Sequence, residues 1–259
     1  PVNRPFPFPS LVVSTVISSS RPGILGRAGR GGAPRYTARM PNPTESSGAA
    51  RNSARALPSP DDLLADTWRT LVRAVADSRH AWRWPALATI AADGAPDVRT
   101  VVLRNASEAL HRLELHTDAR STKVAQLAAH PQAMLLFHDA RRRLQLRVAV
   151  QVAASADATR RSAAWALLSP TARRLYEIGP APGRRIGEAQ AEALRAFTAG
   201  RSDDTAGPGD DEAGSAFARF VLLDCTVASI DRLDLSSDGQ LRSRHVHEAG
   251  GWRHEWLAP

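Results

Sequence analysis

From Ala86 to the C-terminus the chain is written in short runs of alternating side chains separated by turn residues, and that texture leaves few folds open. "ALATIAADG" and "PDVRTVVLRN" flank Asp93, Gly94, Ala95 and Pro96, a turn signal between two extended runs. "LHRLELHTD" sends Leu113 and Leu115 one way and Arg112, Glu114 and His116 the other. "AMLLFHD" and "RLQLRVAVQVAA" follow, joined near residues 139–142. "FARFVLLDCTVASIDRLDL", "QLRSRHVHE" and "WRHEWLAP" add three more, with turns at 236–239 and 250–251. That makes about eight strands, mostly in hairpins, with no strand–helix–strand rhythm. The expected class is mainly β (α+β): an antiparallel barrel with peripheral helices.

Helical spacing punctuates this pattern. In "SPDDLLADTWRTLVRAV", Ser59 suits the N-cap and Pro60 the first helical position, while Asp61 and Asp62 favour the positive end of the dipole. Leu64, Trp68, Leu71, Val72 and Val75 follow at helical intervals, for about five turns. A shorter helix is expected from Ser121 to about His130, stopped by Pro131. Further helical patterns cover 157–176 and 186–198, and "AGRSDDTAGPGDDEAGS" at 199–215 reads as a flexible loop. Residues 1–58 are rich in Pro, Gly, Ser and Arg, and are expected to form a disordered tail ahead of one domain at 59–259. Met40 opens a natural-looking start, so residues 1–39 read as upstream sequence. A targeting segment is the rival reading, weakened by Pro5, Pro7 and Pro9 ahead of the apolar "SLVVSTVISS".

A net charge of +8 and a pI near 11.0 suggest nucleic acid at first sight. Residues 1–39 hold six arginines and no acid, however, which leaves 28 basic against 26 acidic residues in 40–259. The folded part is nearly neutral, so no nucleic-acid partner is expected. No apolar run approaches the roughly 18 residues of a membrane span. Cys225 is the single cysteine, which excludes an internal disulfide; it reads as a small buried hydrophobe in a protein of the reducing cytoplasm.

Phosphate-loop, dinucleotide-fold, zinc-protease and nucleophile-elbow motifs are absent. His245 and His247 share a strand face but lack a nearby third ligand, so they read as solvated rather than metal-binding. The informative constellation is basic and hydroxylic. Arg99, Val101 and Leu103 share one face of a strand; Thr100, Val102 and Arg104 share the other. His116 and Thr117 end a strand, and Ser121, Thr122 and Lys123 (the only lysine in the chain) open a helix. Free N–H groups, a positive dipole end, two hydroxyls and an ammonium together suit a phosphate. An ordinary serine cap beside a stray lysine fits the same spacing.

"RTVVLR", "LHTDARSTK", "RLQLRVAV" and "LRSRHVHEAGGWRHEWLAP", in this order, resemble successive motifs of the pyridoxamine 5'-phosphate oxidase-like FMN-binding split barrels, from about Ala86 to Pro259. The resemblance implies an antiparallel six-stranded split barrel, a homodimer with FMN at the subunit interface, and a small-molecule substrate. It implies that Arg99 and Lys123 pair with the FMN phosphate and that the backbone of Thr100, Val101, Val102 and Leu103 runs along the flavin ring. Arg104 stands where the family oxidase has a lysine near flavin and substrate. Thr117 and Ser121 match the family; His116 replaces a tyrosine, and Thr122 replaces an arginine of the phosphate site. Gln145 matches a cofactor-contacting glutamine, and Arg242 an arginine that approaches the flavin.

The departures concern the substrate. Asp238 and Gln240 stand where the resemblance implies arginine and histidine, and Arg232 where it implies tryptophan. In the substrate-phosphate segment Trp165, Ser169 and Arg173 replace tyrosine, arginine and serine. Arg173 and Arg174 form either an anion site or a solvated helix face. The expected function is an FMN flavoprotein, an oxidoreductase related to the family oxidase with altered substrate residues. The alternatives are a flavin reductase or oxidase of another small substrate, and a non-catalytic binder of FMN, haem or another tetrapyrrole. No catalytic side chain and no metal ligand is assigned.

Overall fold

In this computed structural model, residues 56–200, 216–237 and 239–259 are described. The tail expected at 1–58 falls outside them except for Ala56, Leu57 and Pro58, as does the loop expected at 199–215 except for Ala199 and Gly200. Asp238 also lies outside.

The first helix, α1 (Pro60–Ala76), begins as the sequence requires. Ser59 Oγ accepts from Asp62 N at 3.1 Å and two acids sit in the first turn. Leu64, Trp68, Leu71 and Ala74 form its buried stripe and pack on β3 (Leu103–Ser107). Val72 lies off that stripe and is 49% exposed, because one residue past Leu71 turns the helix by about 100°.

The strands are β1 (Ala86–Ile90), β2 (Pro96–Thr100), β3, β4 (Arg112–Asp118), β5 (Gln132–Asp139), β6 (Leu144–Ala154), β7 (Phe220–Asp234), β8 (Leu241–Glu248) and β9 (Gly251–Leu257). All pairings are antiparallel, in one sheet ordered β2-β1-β5-β6-β7-β4-β3, with β8 added to β7 and β9 to β8. The class is the expected one, mainly antiparallel β with helices around it. Nine strands rather than about eight arise because "PDVRTVVLRN" is not one strand. Val101 and Val102 leave the ladder, β2 pairs with β1, and β3 pairs with β4. The two terminal strands of the sheet are therefore consecutive in the chain, joined by two residues. They do not pair with each other, so the sheet is open. The split lies along β7. One edge pairs β6 over most of its length; the other pairs β4 through residues 220–226 and β8 through residues 229–234.

Inside the curved sheet, Leu87, Leu103, Leu113, Leu115, Leu135, Leu146, Val148, Cys225 and Ile230 pack into one core. Cys225 is fully buried, as expected, and burial pushes its thiol far above the usual range. Between β1 and β2 the turn needs Gly94, whose φ of 84° disfavours any side chain. The helical pattern at 157–176 is two helices, α3 (Ala158–Ala166) and α4 (Pro170–Glu177), because Ser169 caps a new start at Pro170. Two further helices are α2 (Thr122–Ala129) and α5 (Glu188–Thr198). No helix among the described residues is long and apolar enough to cross a membrane.

β8 corrects the reading of its histidines. His245 is fully buried, not solvated, because α1 covers the inner face of β8. Its Nδ1 lies 2.8 Å from His254 Nδ1 and its Nε2 3.0 Å from Ser243 Oγ, while His254 Nε2 reaches Asp61 at 3.0 Å. Burial, then the charges of His254 and Arg232, push His245 down to about 4, against smaller opposing effects of Asp61 and Asp231. His247 is half-buried, 4.1 Å from the His111 ring and 5.0 Å from Trp252. Arg232 is buried as well. It pairs with Asp66 at 3.1 Å and bonds Thr67 at 3.3 Å, tying β7 to α1.

Candidate functional site

β4 ends at Asp118, and a three-residue turn delivers the chain into α2. Ser121 holds the N-cap position, yet its hydroxyl does not cap the helix. It accepts instead from Lys123 Nζ at 2.6 Å, and Thr117 Oγ1 accepts from the same ammonium at 3.0 Å. Those partners are two neutral hydroxyls, not a carboxylate. Burial, then the charge of Arg99, lowers the Lys123 pKa; Asp118 and Asp97 offset only part of this. A half-buried ammonium short of negative charge, at a helix start whose cap hydroxyl is turned elsewhere, is a ready receptor for an anion.

Arg99 stands beside it on β2. Its guanidinium donates to Thr89 Oγ1 at 2.5 Å and to Gln126 Oε1 at 3.0 Å, and pairs with Asp97. Gln126 Nε2 in turn donates to Asp97 Oδ2 at 2.9 Å. Arg99 is therefore held rigidly, with its charge already shared. Thr89 and Gln126 were missed in the sequence. The signals were there: Gln126 is three residues beyond Lys123 on one helix face, and Thr89 is cross-strand from Asp97.

The next residues divide by face. Thr100 is exposed, Val101 and Val102 are half-buried off the ladder, and Leu103 is in the core. His116 follows core Leu115 and so points to the opposite face of β4, while Arg104 lies at a register shift in the β3–β4 ladder. Arg104 is half-buried and its Nε has no hydrogen-bond partner among the described residues. Burial, then Arg83, lowers its pKa, with Tyr176 opposing. His116 Nε2 meets Glu114 at 3.0 Å, its ring stands edge-on to Phe220 at 4.9 Å, and its buried Nδ1 is likewise unpartnered. Thr122 is exposed.

Gln145 and Arg242 lie elsewhere. Through Leu233 they occupy one row across β6, β7 and β8, on the face opposite buried Leu144 and Leu146. Arg99 shares its row with buried Leu87, Leu135 and Val148, on the inner face. Arg242 is held by Asp231, with bonds of 3.1 and 2.9 Å that raise its pKa. One chain thus unites Arg99, Thr117, Ser121 and Lys123, and separates them from Gln145 and Arg242. Trp165 packs against Tyr176, Phe217 and Phe220. Arg173 lies over Trp165 at 5.6 Å and donates to Trp165 O at 3.2 Å and Ala166 O at 2.8 Å. These bonds close the C-terminus of α3.

The fold is an open, curved antiparallel sheet with a half-buried ammonium at a strand-to-helix turn. Residues 65–155 match the family model described as pyridoxamine 5'-phosphate oxidase, FMN-binding domain. A pyridoxine/pyridoxamine 5'-phosphate oxidase of Hyphomonas neptunium is 34% identical over 108 residues, 42% of this chain and 48% of that protein. One from Rhodopseudomonas palustris strain TIE-1 is 43% identical over 63 residues, 24% of this chain and 29% of that protein. The chain spans about half the length of the first of these relatives and less of the second. Among solved structures, a pyridoxamine 5'-phosphate oxidase-related, FMN-binding protein of Nostoc punctiforme PCC 73102 has a TM-score of 0.59 at 25% identity, covering 79% of this chain and 99% of that one. PhzG of Burkholderia lata 383, in complex with tetrahydrophenazine-1-carboxylic acid, has a TM-score of 0.58 at 21% identity, covering 79% and 95%; it shares the fold. Residues 65–155 thus resemble a pyridoxamine 5'-phosphate oxidase-like FMN-binding domain, a match that supports FMN as the cofactor.

The residues present fit that cofactor. Lys123 lacks a counter-charge where a phosphate would supply one.

Proposed function

We propose that the protein is an FMN-dependent oxidoreductase that works as a homodimer on a small molecule in the cytoplasm. The observation that carries the reading is Lys123: a half-buried ammonium oriented by Thr117 and Ser121 at the start of α2. Lys123, Arg99 and the first turn of α2 would hold the FMN phosphate, with Gln126 and Thr89 fixing the angle of Arg99. The backbone at Val101 and Val102, between β2 and β3, would run beside the ring, and Arg104 would set charge near it. Bound FMN supplies the hydride-transfer chemistry; these side chains bind, orient and polarise. None is assigned as a general acid or base.

Two observations support the dimer. Gln145 and Arg242 face away from Arg99 and Lys123, so a second subunit is the natural donor of that half of the site. The outer face of β2, β1 and β5 also presents Val98, Ile90 and Leu136, which are 60%, 39% and 38% exposed, in register around Ala88 and Met134. Contiguous exposed apolar side chains of this kind favour burial against a partner.

The substrate is read as something other than pyridoxamine 5'-phosphate. Arg173, the candidate for a substrate phosphate, is committed to the carbonyls of α3. Titration of the purified protein with FMN tests the reading. It should bind FMN and show a flavin spectrum, and dithionite should bleach the flavin under anaerobic conditions where pyridoxamine 5'-phosphate does not. A colourless protein that takes up no FMN would refute it, and a haem spectrum would replace it.

A further inference from the structure

Arg120 sits in the middle of the anion-binding turn, yet its side chain points away from Lys123. Its Nε donates to Asp118 Oδ1 at 3.0 Å and its NH2 to Asp118 Oδ2 at 2.7 Å, a bidentate pair. Its own N–H also donates to Asp118 Oδ1, at 2.8 Å, so the carboxylate pins the backbone of the turn as well. The remaining donors leave the turn altogether. NH1 reaches Gly179 O at 2.8 Å and NH2 reaches Ile178 O at 2.9 Å, just beyond α4. Burial opposes ionisation of Asp118, but the bonds and charge of Arg120 outweigh it and hold the carboxyl below its usual range. The strap is therefore charged at neutral pH and mostly shielded from water.

What it grips is short. α4 has eight residues, a length that does not persist on its own, so its order depends on contacts at its ends. The carbonyls at a helix C-terminus need donors, and a guanidinium is well suited to supply them. A second arginine holds the same helix end. Arg219 NH1 donates to Tyr176 O at 3.0 Å and Ile178 O at 3.3 Å, while Ala119 N donates to Arg219 O at 2.7 Å. The anion-binding turn and the end of α4 are thus joined by two arginines. Only Arg120 belongs to the turn that also carries Ser121 and Lys123. Nothing in the resemblance assigns a role to this position.

We infer that Arg120 is a positioning residue that couples occupancy of the turn at 117–123 by the FMN phosphate to the order of α4, the helix that carries Arg173 and Tyr176. The inference rests on the phosphate being held by Lys123. An anion that bonds Lys123 and Ser121 restrains the turn; Asp118 and Arg120 move with it; the carbonyls of residues 178 and 179 are then held more firmly. Cofactor binding would thereby order the wall of the site before substrate arrives. Because Arg219 holds α4 independently, the fold should survive loss of Arg120.

Hydrogen exchange of the full chain, with and without FMN, tests this in the wild type, Arg120→Ala and Arg120→Lys, alongside FMN titrations. In the wild type, FMN should slow exchange at residues 170–179 about tenfold. In Arg120→Ala, FMN should bind within about threefold of wild type, since the substituted side chain touches none of the phosphate-holding groups, while the protection at 170–179 disappears. Arg120→Lys, which cannot span both acceptors, should keep only part of it. Protection that persists in Arg120→Ala overturns the inference, as does its absence in a wild type that binds FMN. A loss of FMN affinity of more than about tenfold in both variants also overturns it, by making Arg120 part of the phosphate receptor itself. If instead Lys123→Ala binds FMN like the wild type, the proposed phosphate site fails, a result read independently of any Arg120 variant.

Discussion

Replacing Lys123 by alanine removes a cation that, among the described residues, is bound only by neutral groups. The structure sets both the size and the selectivity of the effect. A charge-assisted hydrogen bond from a partly buried ammonium contributes about 1.5–3 kcal/mol, so the FMN dissociation constant should rise about 10- to 150-fold. The unliganded protein should barely notice. Two hydroxyl bonds, to Thr117 and Ser121, are lost, but so is a desolvated charge that Arg99 repels. The net change in folding stability should stay within about 1 kcal/mol, or roughly 2–4 °C for a domain of this size. Arg99→Ala should behave differently, because it strands Asp97 and Gln126 and should weaken the fold as well as the affinity. Flavin fluorescence quenching at fixed ionic strength measures the affinity, and thermal unfolding of the FMN-free protein measures the stability. An unchanged dissociation constant in Lys123→Ala, or a loss that merely tracks unfolding of the FMN-free protein, would refute the assignment.

Three further outcomes are expected. His245 is a base whose pKa falls from 6.5 to about 4 on folding, so its contribution is complete above pH 6.5 and is lost as the pH falls toward 4. Near pH 5 this amounts to about 2 kcal/mol, and urea unfolding of His245→Asn should show a flatter pH dependence than the wild type; equal slopes would count against the buried neutral imidazole. Arg160 joins α3 to two strands, with NH2 2.8 Å from Glu114 Oε2 and 2.9 Å from Asp224 Oδ1, and leaving those acids with only His116 and Arg112 beside them should cost about 1–3 kcal/mol in Arg160→Ala by urea unfolding. Val98→Arg should convert the proposed dimer to monomer in sedimentation velocity and weaken FMN binding with it; a wild type that is monomeric and still binds FMN tightly would end the shared-site reading.

The alternation of Leu113, Leu115, Leu144, Leu146 and Val148 made the barrel legible, since each side chain is buried where a period of two places it. The break at Val101 and Val102 was not legible, because β-branched residues favour a continuing strand and only the change of pairing partner reveals the gap. The histidines misled for a related reason. Spacing says that His245 and His247 share a face; it does not say which face, and α1 decides that from the other end of the domain. At the site, charge and hydroxyl content pointed to the turn at 117–123. Arg120 stayed hidden because its role depends on carbonyls of residues 178 and 179, and Arg173 because its partners belong to α3, a contact set by the packing of two helices that the sequence pattern had run together.

The placement of β7 bears on how the protein is made. This strand is the shared partner of β4, β6 and β8, and its pairing of Thr226 with Arg112 spans roughly a hundred residues of chain. A nascent chain that has completed β1 through β6 still holds two unpaired backbone edges, on β4 and on β6, with apolar side chains beside them. Neither edge can be covered until Phe220 and the residues after it leave the ribosome. Premature termination between β6 and that point would release two unjoined sheets, β2-β1-β5-β6 and β4-β3, each with the edge that β7 covers left open, a template for aggregation rather than a smaller barrel.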